Sequence, residues 1–151
     1  MNGLLMKNPT DNTTIGLEIG RVTRQWRARM DERLISLGLT QSRWLPLRHL
    51  AEAGGILPQR RLVELTGIEG PSLVRLLDEL ERLGFVERRD SETDRRTKTI
   101  HLTSKAEPII GQITALAEGL RKEVLSGITA DDLAVFQRTL RQISDNLRRL
   151  G

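Results

Sequence analysis

The sequence predicts a mostly α fold with a small β-hairpin, a winged helix-turn-helix set between long N- and C-terminal helices. Three observations predict it. Apolar residues recur every three or four positions through six segments, two of those segments meet at a tight Thr66-Gly67 break, and two short β-type runs around a polar loop follow directly.

Residues 1–12 hold Gly, Pro, Asn and Thr without periodicity and read as a flexible arm. Ile15, Ile19, Val22, Trp26, Met30, Leu34 and Leu37 then mark one long amphipathic helix, which Gly38 stops. Thr40 or Ser42 can cap a second helix carrying Trp44, Leu45, Leu47, Leu50 and Ala51, which ends at Gly54-Gly55. A short third helix begins near Pro58 with Leu62, Val63 and Leu65, and breaks at Thr66-Gly67. The fourth opens with Pro71, carries Leu73, Leu76, Leu77, Leu80 and Leu83 on one stripe, and ends at Gly84.

Phe85 to Arg88 and Thr97 to Leu102 read as strands on either side of the polar loop Asp90 to Arg96, a hairpin too long for a tight turn, and this is the expected wing. Thr103, with Glu107 beyond it, suits the cap of a long helix through Ile109, Ile110, Ile113, Leu116, Leu120 and Val124, where Pro108 falls in a tolerant early turn. Thr129 and Asp131-Asp132 open the last helix, with Leu133, Phe136, Leu140, Ile143, Leu147 and Leu150 on it and Arg148-Arg149 at the negative end of its dipole.

A chain of 151 residues suits one domain-sized core without staples. Aromatic residues are 3% of it, so that core is aliphatic. The absence of cysteine excludes disulfides, thiolate nucleophiles, Cys-type zinc sites and thiol redox sensing. No run of about 18 apolar residues and no secretory signal pattern is present, so the expected location is the cytoplasm and no membrane partner is expected. The net charge of +4 decides little by itself, but the basic set is mostly arginine, whose planar fork suits phosphate and guanine.

In a helix-turn-helix the first helix pins the second so that its exposed face can enter a major groove about 12 Å wide. With the leucine stripe buried, the outward positions of the fourth helix are Ser72, Arg75, Asp78 and Glu79. Its N-terminal half offers Ser72 and Arg75 beside unpaired backbone N–H groups that suit phosphate. An ordinary helix pair with a solvated polar face fits the same spacing. The hairpin adds Arg88, Arg89, Arg95, Arg96 and Lys98 close by in the chain, where a duplex backbone or narrow minor groove would be met, although Asp90, Glu92 and Asp94 could neutralise them.

The segment GI-x-x-PSLVR-x-LD-x-LE-x-x-G (67–84) followed by DRR-x-K-x-I-x-LT-x-KAEP (94–108) resembles the MarR family, and within it the SlyA-like branch. The resemblance extends to R-x-W-R-A at Arg24 to Ala28 and to LTQ-x-x-W at Leu39 to Trp44. It implies that the helix from Pro71 to Leu83 is the recognition helix, with Pro71 at its start and Ser72 and Arg75 as phosphate or base contacts. It implies likewise that Arg95 is the wing-tip arginine for the minor groove, with Asp94 and Arg96 as orienting or phosphate-contacting neighbours. Gly70 stands where related members often carry a longer polar side chain, which implies one base contact fewer.

Residues 41–102 would form the DNA-binding domain, and residues 13–40 and 103–151 the dimerisation helices, whose apolar positions exceed what the winged domain can cover. A monomeric six-helix domain is the alternative. A homodimer implies an inverted-repeat operator on double-stranded DNA. The resemblance also implies a small aromatic carboxylate or phenolic effector, for which Trp26 and Trp44 are candidate walls and Arg24, Arg27 and Arg48 candidate anchors, against the plainer reading of each Trp as core. No enzymatic activity, cofactor or metal is expected, since His49 and His101 have no metal-spaced or nucleophile partner. A winged helix used for protein–protein contact without DNA is the remaining alternative.

Overall fold

The computed structural model describes residues 12–39 and 43–151, so the arm at 1–11 and the caps expected of Thr40 or Ser42 lie outside the described residues. The chain divides into two compact units, the first ending at Ala117 and the second running from Glu118 to Gly151.

In the first unit, α1 (Ile15–Leu34) passes into one 3-10 turn (Ile35–Leu37). Gly38 then takes the left-handed conformation, φ 68°, which halts the helix at the predicted residue. Helix α2 spans Trp44–Glu52, and α3 (Gln59–Thr66) and α4 (Gly70–Arg82) form the helix-turn-helix. The turn is held by buried Thr66, whose hydroxyl donates to the Leu62 carbonyl (2.6 Å) and accepts the Ile68 N–H (3.2 Å). Gly67, at φ 67°, provides the left-handed step after it.

The sheet holds one more strand than the hairpin expected from sequence. β1 (Ile56–Pro58) joins β2 (Val86–Asp90) and β3 (Lys98–Leu102) in the antiparallel order β1-β3-β2, with Leu57 and Arg88 both opposite Ile100. A three-residue strand has no room to show alternation. Pro58 therefore ends a strand in extended geometry (φ −60°, ψ 140°), and α3 begins at the next residue.

The predicted stripes build the core. Met30 and Leu34 of α1, Leu47 and Leu50 of α2, Leu62 of α3, Leu73, Leu77 and Leu80 of α4, and Ile100 of β3 are at most 1% exposed. Truncating any of these to Ala would remove transfer energy and leave a void, about 2–5 kcal/mol for a leucine. Thr103 departs from its expected capping role. Its hydroxyl donates to the Gly84 carbonyl (2.5 Å), tying the end of β3 to the turn after α4, and a 3-10 turn (Ser104–Ala106) leads into α5 (Glu107–Val124).

In the second unit α6 (Ala130–Leu150) is capped as expected, with Thr129 Oγ1 accepting the Asp132 N–H at 3.1 Å. None of its residues is buried, and Phe136 and Leu147 remain 56% and 63% exposed.

Candidate nucleic-acid interface

Helix α4 is amphipathic because its leucines fall at i, i+3, i+4 and i+7 from Leu73, which turns Pro71, Ser72, Val74, Arg75 and Asp78 outward. No side chain caps its N-terminus, and the first intrahelical acceptor, Glu69 O, is taken by Leu73 N at 2.9 Å. The Ser72 N–H therefore stands in the orphan first turn, where an anion is favoured by direct hydrogen bonding and by the helix dipole. A Cβ at Gly70 would meet nothing within 4 Å, so packing in the free chain does not require glycine there.

The reading face is narrower than the sequence suggested. Glu79 is half-buried and receives both Nε (3.0 Å) and Nη2 of Arg43, which staples the start of α2 to α4. Asp78 is exposed but bound to Arg88 Nη2. Both acids are thus absorbed by cations of the scaffold. Val74, 36% exposed beside Arg75, takes a place on the face that sequence reasoning missed. Its signal was an apolar residue standing off the leucine stripe.

Arg88 braces the wing against α4. Its Nε and Nη2 donate to Glu81 Oε2 at 3.1 and 2.8 Å, Nη2 also reaches Asp78, and its backbone N–H donates to Glu81 Oε1 at 3.2 Å. These bonds hold the Glu81 carboxyl below the usual carboxylate range and raise the Arg88 guanidinium above its ordinary value. Further along the hairpin Arg89 pairs with Glu87 (2.9 Å), and Lys98 pairs with Asp90 across the two strands.

Of the five cations counted in the wing, Arg95 and Arg96 thus remain exposed and make no ion pair among the described residues. Asp94 orients the turn that carries them. One of its carboxylate oxygens accepts the Arg96 N–H at 2.9 Å and the other the Thr97 hydroxyl at 3.3 Å.

The residues considered for an effector have several different surroundings. Trp44 is 5% exposed with its indole N–H on Asp31 Oδ1 at 2.8 Å, so it serves the packing of α2 on α1. Arg48 pairs with Glu52 at 3.0 Å, and Arg27 donates to the Thr66 carbonyl at 3.4 Å. Trp26 is half-buried and Arg24 exposed on α1. His101 shares a 2.9 Å hydrogen bond with the Thr99 hydroxyl.

A family model described as MarR family matches residues 37–97. The crystal structure of the transcriptional regulator PA3341 is 44% identical over 89% of this chain and 98% of its own, with a TM-score of 0.84. The transcriptional regulator SlyA is 22% identical over 89% of this chain and 94% of its own, with a TM-score of 0.77. A mutant MarR from E. coli, solved in complex with operator DNA, is 24% identical over 87% of this chain and 94% of its own, with a TM-score of 0.72.

Proposed function

The chain belongs to the MarR family of transcriptional regulators, and from that premise we propose that it grips an inverted-repeat operator as a homodimer through α4 and the wing tip. The observation that carries this reading is the sorting of charge. Arg88, Arg89 and Lys98 have internal acids, while Arg95 and Arg96 at the wing tip and Arg75 on α4 have no ion-pair partner among the described residues. Unneutralised arginines on two neighbouring elements suit a polyanion. That a fold relative was solved with operator DNA supports the same choice of partner.

In this reading α4 lies in the major groove. Ser72 meets a backbone phosphate, Arg75 reads a base edge, and Val74 contacts a thymine methyl. Arg95 enters the adjacent minor groove while Arg96 takes a flanking phosphate, with Asp94 setting their turn. Residues 13–40 and 103–151 form the dimer. Exposed Leu17 (76%) and Val22 (48%) on α1, and separately Phe136 and Leu147 on α6, supply apolar surface for a second copy. Two-fold symmetry would place half-sites one helical turn apart, about 34–36 Å.

A small aromatic carboxylate is the proposed effector, with Trp26 as wall and Arg24 or Arg27 as anchor. Trp44 as a second wall and Arg48 as an alternative anchor are less available, because Trp44 is held by Asp31 and Arg48 by Glu52. Selecting one spacing of the reading heads would couple effector to operator by about 1–3 kcal/mol. No reaction, cofactor or metal enters this function, and its place of action is the cytoplasm.

The test is retention of duplex DNA against rising salt, for the unchanged protein and for Arg95→Ala. Binding should fall steeply with salt, and Arg95→Ala should weaken every sequence and lose preference for narrow A·T-rich minor grooves. No retention of any duplex at low ionic strength would overturn the reading in favour of a winged helix that contacts protein.

A further inference from the structure

The start of α3 and the wing loop from Asp94 to Lys98 line a cleft of about 520 Å³ that lies apart from the reading face of α4 and shares Asp94 and Arg96 with the wing tip. Gln59, Arg60, Asp94, Arg96, Thr97 and Lys98 line it, and Val63 is the apolar residue among them. Three cations thus face one carboxylate. Both oxygens of that carboxylate are already occupied, by the Arg96 N–H and the Thr97 hydroxyl. Lys98 pairs with Asp90, whereas Arg60 and Arg96 make no ion pair among the described residues.

A concave site with this lining has no aromatic wall for a flat organic acid and an excess of positive charge with hydrogen-bond donors for a compact anion. Its position selects among anions. Arg96 follows the wing-tip Arg95 in the chain, and α3 is the helix that precedes α4, so the cleft is continuous with the surface assigned above to the duplex.

We propose that this cleft clamps a backbone phosphate of the bound duplex, with Arg60 as a contact that the wing and α4 do not supply. The assignment rests on the DNA-binding reading. A phosphate contact positions the protein on its duplex without reading sequence, so Arg60 should contribute to affinity on every site alike.

The experiment compares Arg60→Gln with Arg61→Gln, which removes the same charge one residue away. Both arginines are exposed, and Arg61 is held by Glu64 at 2.7 Å. Binding to one operator-like and one random duplex is measured from 50 to 200 mM salt, an arbitrary window of about fourfold in concentration. Losing one phosphate contact lowers the log–log slope by about 0.9, so across that window Arg60→Gln should lose about 3.5-fold less affinity than the unchanged protein. Arg61→Gln should keep the full slope, and the ratio of specific to random binding should be the same in all three. Equal slopes for the two variants would overturn the clamp, as would a change in that ratio for Arg60→Gln.

Titration of the protein alone with inorganic phosphate at constant ionic strength separates the sources of the anion. Phosphate binding that Arg60→Gln abolishes, with duplex slopes unchanged, would assign the cleft to a free anion and overturn the duplex contact. If the unchanged protein holds no duplex, the functional reading fails and the clamp fails with it. If it holds duplex and the variants match, the clamp alone fails.

Discussion

Arg88 offers the sharpest separation of structure from recognition, because a wing arginine would ordinarily be counted as a DNA contact. Its side chain is 25% exposed and serves Glu81, 39% exposed, and Asp78, 55% exposed. An exposed ion pair is worth about 0.2–1 kcal/mol, and a hydrogen bond to a charged group about 1.5–3 kcal/mol when shielded. With both acids more than a third exposed, the cluster falls between these limits. Arg88→Met should cost about 1–2 kcal/mol of fold stability, lowering Tm by about 2–8 °C for a chain of this size. The cation is already neutralised, so the salt slope of duplex binding should stay as it is, while Arg95→Ala lowers it by about 0.9. Thermal melts and a double-mutant cycle with Glu81→Gln measure the first part, with a coupling of about 1 kcal/mol expected. A coupling near zero, or a slope for Arg88→Met as shallow as that of Arg95→Ala, would show that Arg88 faces DNA and refute the bracing role.

Arg75→Ala should cost about 1–3 kcal/mol on the operator and much less on random duplex, measured by competition binding; equal losses would make Arg75 a phosphate contact. Phe136→Glu places a charge on the exposed stripe of α6 and should yield a folded monomer by sedimentation, with a lower Tm that no longer depends on protein concentration, while an unaltered dimer would remove α6 from the interface. His49 carries a pKa below its ordinary 6.5, chiefly through burial, with Arg48 and Arg27 adding repulsion and Glu52 opposing. The unfolded chain therefore binds this proton more readily, so the contribution is complete above pH 6.5 and is lost as pH falls through the folded value. Denaturant midpoints should decline over that range and decline less in His49→Gln.

Much of the fold was legible because it depends on spacing. The leucines of α4 are set by i, i+3 and i+4 contacts, and Gly38, Gly67 and Gly84 stand where a left-handed step ends a helix, at φ 68°, 67° and 80°. What was not legible depends on distances between elements. β1 is too short to alternate, and its identity comes from pairing with β3, forty-odd residues away in the chain. Thr103 has the composition of a cap, yet its hydroxyl is claimed by Gly84. For the candidate site, Ser72 and Arg75 follow from the stripe, whereas Val74 stood outside a search for polar residues.

The same distinction governs how charge should be read in a segment of this kind. A count along the hairpin gives five cations, Arg88, Arg89, Arg95, Arg96 and Lys98, and predicts as many phosphates. The fold returns Asp78, Glu81, Glu87 and Asp90 against three of them. Adding Arg60 from α3 restores one cation that no hairpin count includes. A salt slope sums neutralised phosphates at about 0.9 each, so it responds to the cations left unpaired by folding and not to composition. The arginines that matter for a duplex are those whose acids lie elsewhere in the molecule, and that property belongs to tertiary structure even when the arginines themselves are visible in the sequence.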